Sequence, residues 1–206
     1  LRMIAVLLVS AAACGTDALP IADLESLSPD RGFTVHLSQF EVPPGTEVQD
    51  CYFYKVRDLA KQAGMNENEP VNLHRLKMVQ RDGSHHMNLF RVRSIKGLDP
   101  AQGFVHGLNG QGECFKSPNW SDWPLVGNTQ QDGEVDWTFP DGVANVFQPD
   151  EWVMLQTHYV NASSQKSPEG GEVAINWYTI PKEQVVHEMG TLFATKQSIR
   201  VCKSNP

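Results

Sequence analysis

The sequence predicts an all-β protein, an antiparallel β-sandwich of jelly-roll type. Three observations carry that prediction. Short runs of β-branched and aromatic residues recur along most of the chain, many of them alternating with a period of two. Turn residues separate them, drawn from 16 glycines and 13 prolines in 206 residues. One segment alone, "DLAKQAGM" at 58–65, has room for a turn or two of helix. Many short strands with turn signals between them pack as two sheets face to face.

Taken in order, residues 1–14 read as a lipoprotein-type signal peptide. Arg2 precedes an apolar run, Met3 to Ala13. That run is too short for a bilayer, which needs about 20 apolar residues, but suits the apolar region of an export signal. Small residues leading into Cys14 resemble a bacterial lipobox, with Cys14 as the lipidated residue; Ala11 stands where Leu, Val or Ile is usual. A plain signal peptide cut between Ala13 and Leu19 is the alternative. The expectation is a periplasmic or outer-membrane lipoprotein held to the membrane by its lipid, or else a secreted protein. Residues 15–31 read as a polar tether, and 32–206 as one domain. A net charge of −7 offers no basic stripe for phosphates, so nucleic acid is excluded as a partner.

Within the domain, Phe33, Val35 and Leu37 alternate before a turn at Pro43-Pro44-Gly45. Residues 51–57 are aromatic and β-rich. "NLHRLKMVQ" sets Leu73, Arg75 and Lys77 against His74, Leu76 and Met78. "HHMNLFRVR" has Met87 and Leu89 on one parity, with His86, Asn88, Phe90 and Val92 on the other. A Gly-, Pro- and Trp-rich span, 97–134, reads as a long connection. "EVDWTFPDGVANVF", "EWVMLQTHYVNA" and "EVAINWYTI" complete the strands. In the second of these, Met154, Gln156, His158 and Val160 share one face, and Val153, Leu155, Thr157 and Tyr159 the other.

Export brings the cysteines into oxidising conditions. With Cys14 lipidated, Cys51, Cys114 and Cys202 remain, an odd number that sequence alone does not pair. Cys51–Cys114 is preferred, tying the strand "VQDCYFYKV" to the loop "GQGECF". Cys202 then lacks a partner, which favours a sequence continuing past Pro206.

The chemistry lies in the histidines. His85 and His86 stand together ahead of an apolar run, and His158 lies in mid-strand among apolar residues, where an imidazole has to be satisfied. Together they make a candidate set of three imidazoles for copper or zinc, ions this ligand suits. Neighbours in a regular strand point to opposite faces, so both His85 and His86 reach one ion only where the strand is bulged or just beginning. Gly83-Ser84 immediately before them admits either; otherwise only one of the pair ligates. His74, His106, His36 and the His187/Met189 pair read more simply as surface, hydrogen-bonded or core-filling residues. Asn161-Ala162-Ser163 is a glycosylation sequon by pattern. Trp120 and Trp123 read as a cover for the sandwich end rather than a ligand platform.

"HHM" before an apolar strand, "PDGVA" later, and "LQTHY" about seventy residues after the first motif resemble a known family. It is the N-terminal domain of the copper type II, ascorbate-dependent monooxygenases, which includes peptidylglycine α-hydroxylating monooxygenase and dopamine β-monooxygenase. The likeness runs from about Gly32 onward. It implies a jelly-roll-like sandwich, a copper held by His85, His86 and His158, and ascorbate or a similar reductant. "EVPPGTEVQDCYFY" resembles the family's segment ahead of a disulfide cysteine, which implies Cys114 as the partner of Cys51. The family's second domain binds an oxygen-activating copper through His-x-His and a later methionine, and no His-x-His occurs among these seven histidines. The expectation is therefore an electron-transfer copper domain, completed for hydroxylation by a second copper domain in a longer chain. A non-catalytic copper-binding or electron-transfer lipoprotein, serving a redox partner, is the alternative. A β-sandwich with merely satisfied histidines is the remaining one.

Overall fold

Among the described residues, eleven strands build two sheets whose facing sides share one apolar core. The computed structural model describes residues 24–81, 83–94, 98–115, 122–130, 134–164 and 171–192. The strands are β1 (Gly32–Phe40), β2 (Thr46–Lys55), β3 (Val71–Gln80), β4 (Ser84–Val92), β5 (Phe104–Val105), β6 (Leu125–Asn128), β7 (Glu134–Thr138), β8 (Val143–Phe147), β9 (Trp152–Asn161), β10 (Gly171–Thr179) and β11 (His187–Glu188). One sheet runs β1-β10-β3-β8-β11, with β7 also paired to β3; the other runs β5-β2-β9-β4-β6. All pairings are antiparallel except the two-residue contact of β11 with β8. The all-β sandwich expected from the sequence is the architecture observed.

The helix α1 spans Val56–Gln62, two residues earlier than 58–65. Val56, Leu59 and Ala60 are its buried stripe, at the three- and four-residue spacing that one helical face requires. Residues 24–31, placed in the tether by sequence, lie against β10. Asn176 donates to the Glu25 backbone carbonyl at 2.9 Å, and the Tyr178 hydroxyl donates to the Glu25 carboxylate at 2.9 Å.

Simple alternation fails once in β3. It puts Leu73 on the opposite face from Leu76 and Met78, yet all three are fully buried in the shared core. The register explains this. Tyr178 pairs with Arg75 but Thr179 pairs with Leu73, so His74 is an extra residue and the parity flips across it.

The sheet of β2, β9 and β4 is buried on both faces, which is why β4 reads as apolar on both parities. Val48, Leu89, Leu155 and Tyr159 face the inter-sheet core. Phe53, Phe90 and Met154 face outward, where Leu98, Cys114 and Trp123 cover them. The connection after β4 supplies that cover. It is fastened by the Cys51–Cys114 disulfide, with Cα atoms 5.8 Å apart, and Trp123 is fully buried edge-on to Phe53 at 6.0 Å. Trp123 thus covers the outer face of this sheet rather than an end of the sandwich; Trp120 lies outside the described residues.

Leu155 occupies the inner face of β9, opposite in direction to His158. Replacing it with alanine is expected to lower stability by about 2–5 kcal/mol, through lost transfer energy and a residual cavity. Urea unfolding checks this, and the histidine cluster on the other face should keep its metal-binding behaviour in the folded variant.

Candidate metal centre

β4 and β9 pair in register, with His86 opposite His158 and Asn88 opposite Gln156. One step further, Ser84 faces Tyr159, so two residues of β4 span one residue of β9. His85 is the extra residue of a β-bulge. Gly83, at φ +87°, makes the turn into it; a side chain there is strained by backbone conformation alone. In an unbroken strand His85 would share the parity of Met87 and point into the inter-sheet core. The bulge instead delivers both neighbouring rings to the outer face of the sheet, beside His158.

The three rings form a tight group, their centroids 5.1, 4.8 and 4.8 Å apart. His85 Nδ1 lies 3.0 Å from His158 Nδ1 and 3.2 Å from His86 Nδ1. Two nitrogens bound to one ion at about 2.0 Å stand close to these separations. All three candidate ligand atoms lie within 4.8 Å of one another. His158 is buried, His86 half-buried and His85 exposed, so the group is open to solvent on the His85 side.

His158 Nε2 is 2.6 Å from Glu47 Oε1. A carboxylate only accepts, so Nε2 carries the proton and Nδ1 is left as a lone pair. His85 Nδ1 can donate to it, but His86 Nδ1 then meets the same donor already engaged. His85 Nδ1 thus lies against the Nδ1 atoms of both other rings, and one proton cannot serve both contacts where a shared cation can. The cluster can therefore hold a metal ion.

The surroundings disfavour the charged forms of His86 and His158. Burial, then the neighbouring His158 and His85 rings, push His86 down to about 4 from an ordinary 6.5. Burial also lowers His158, against the opposing pull of Glu47. Phe115 packs edge-on to His158 at 5.9 Å. Below the rings the same face becomes an amide layer. Gln156 accepts from Asn88 at 2.9 Å and donates to the Cys114 carbonyl at 3.2 Å, and Gln49, across from His158, donates to that carbonyl at 2.6 Å. The disulfide loop thereby closes onto the floor of the site.

The remaining histidines stay outside the cluster. His36 pairs with Glu172 at 3.0 Å, His74 Nδ1 contacts the Val143 carbonyl at 2.8 Å, and His187 is exposed. His106 Nδ1 meets Asp50 at 2.7 Å, where burial raises the Asp50 carboxyl against the opposing pull of His106. The sequon asparagine is unsuited to modification, being buried with its amide donating to the Val42 carbonyl at 2.9 Å. Cys14 and Cys202 lie outside the described residues. Sequence reading assigned no role to Glu47 or Gln49. Their alternation with Cys51 marks one face of β2, but only the pairing with β9 shows that this is the histidine face.

No protein-family model and no curated protein matches the chain. Among the described residues, no helix is long and apolar enough to cross a membrane.

The depressed His86 value has a consequence for the metal-free protein. Between pH 6.5 and about 4 the unfolded imidazole takes up a proton that the folded one refuses. Stability is therefore expected to fall as pH drops through that window. Urea midpoints measured across it should show a smaller fall in a His86→Gln variant; an identical fall would show that other groups dominate.

Proposed function

We propose that this chain is an exported copper-binding domain of a monooxygenase-like oxidoreductase, with His85, His86 and His158 as ligands to an electron-transfer copper. The gathering of three imidazoles from two paired strands, with ligand atoms within 4.8 Å of one another, carries the reading. Three imidazole nitrogens with no thiolate or carboxylate suit copper as they also suit zinc with an open fourth position, and the likeness carried by the "HHM" and "LQTHY" motifs selects copper. Bound copper would supply a one-electron Cu(II)/Cu(I) couple, reducible by ascorbate or a similar reductant. The chain's part is to hold the three imidazoles side by side, with burial favouring the neutral, ligating form of His86 and His158. The exposed edge of His85 leaves a side on which a small reductant or a redox partner can approach.

Hydroxylation in this reading is completed by a second copper domain, where oxygen would be activated. The Cys51–Cys114 disulfide supports export, because such bonds persist in oxidising compartments. A lipid on Cys14 would hold the domain at a membrane surface.

Elemental analysis after exposure to copper and zinc together is the direct test. The expected result is one copper per chain, reduced by one electron equivalent in an anaerobic ascorbate titration. His158→Ala and His86→Ala should each lower copper affinity by more than about 100-fold, beyond the range of outer-shell changes. Preferential zinc loading would overturn the copper assignment. Unchanged copper binding in both variants would overturn the ligand set. Turnover on adding a second copper domain would separate the oxygenase from a non-catalytic electron carrier.

A further inference from the structure

The Glu47–His158 contact is held from the backbone as well as through the side chains. The Glu47 amide donates to the Asn109 side chain at 2.9 Å, and the Asn109 amide donates to the Glu47 carbonyl at 2.8 Å. Asn109 sits at φ 49°, a left-handed conformation that asparagine tolerates better than most residues. The loop after β5 thus grips the backbone of Glu47, near the start of β2, with two hydrogen bonds from one residue. Its carboxylate comes within 2.6 Å of the ring nitrogen that faces away from the cluster. Glu47 stands across from Val160, two pairings from Gln49 and His158 and on the same face, so it reaches the ring diagonally.

We infer that Glu47 is a positioning residue that locks His158 in its Nε2-protonated tautomer and biases the site toward the doubly charged copper ion. The inference rests on the copper reading of the cluster. A free imidazole has two tautomers, and only the one with a bare Nδ1 can ligate from this ring orientation. The Nε2–H to carboxylate bond selects that tautomer before any ion arrives. The same bond makes the ring a stronger electron donor once it ligates, as outer-shell carboxylates do for ligating histidines. A stronger donor and a nearby negative charge both favour Cu(II) over Cu(I), so the carboxylate lowers the reduction potential. Half-exposure of Glu47 leaves this influence open to solvent screening.

Two variants divide the roles. Glu47→Leu removes both the acceptor and the charge, whereas Glu47→Gln keeps an oxygen acceptor and removes the charge. In nitrogen-15 NMR spectra of the metal-free protein, His158 should carry its proton on Nε2 in the wild type and in Glu47→Gln. It should become a tautomer mixture in Glu47→Leu. Competition titrations with Cu(II) and Cu(I) should show a 10–100-fold loss of Cu(II) affinity in Glu47→Gln, with Cu(I) affinity nearly unchanged. Each tenfold of that selective loss raises the potential by about 59 mV. Urea unfolding of the metal-free variants, matching wild type, separates these effects from loss of fold. A wild-type His158 protonated on Nδ1, or equal affinities and potentials in all three proteins, would overturn the role of Glu47. A wild type that binds no copper while showing the Nε2 tautomer would instead overturn the copper reading and the redox bias built on it.

Discussion

Adjacent residues of a β-strand project to opposite faces, and the candidate metal centre depends on the one place where β4 breaks that rule. At His85 the strand takes one extra residue, so a His-His dipeptide that would straddle the sheet lands wholly on its outer side. Without the bulge, His85 would enter an apolar core with no partner for its ring nitrogens, and the cluster would lose a member. Glycine at position 83 supplies the backbone freedom this needs, and the regular pairing of His86 with His158 supplies the anchor.

The rest of the architecture covers much of that outer face and leaves the His85 side open. A sandwich normally buries one face of each sheet. Here the long connection after β4 covers much of the second face as well, held down by the disulfide and the buried Trp123. Moving along β9 from Met154 through Gln156 to His158, this face grades from apolar packing through an amide network to the imidazoles. The Cys114 carbonyl is the junction, accepting from both Gln49 and Gln156. Covalent closure of the loop and orientation of the layer under the rings are therefore one structural feature. The Glu47 carboxylate stands at the edge of this site, against His158.

Legibility followed locality. The faces of β9 were readable because its alternation is unbroken from Val153 to Tyr159, and each residue lies on the face that alternation assigns. β3 misled because the bulge at His74 flips parity in mid-strand, and only pairing with β10 reveals it. The same device at His85 was legible as a requirement, since two adjacent histidines cannot otherwise share a face. Glu47 carried no local signal of its role. A glutamate in a strand is ordinary on a surface, and its partner lies 111 residues away.

By itself the sequence determined the all-β class, the approximate strands and the face on which His158 sits, because period-two patterning and turn chemistry are short-range properties. It also named the three imidazoles and the preferred cysteine pair as candidates. Only the tertiary structure decided that the three rings gather and that Cys114 closes onto Cys51. It also decided which nitrogen of His158 faces the cluster. Those outcomes hang on register between strands far apart in the chain, and register is a property of the assembled sheet.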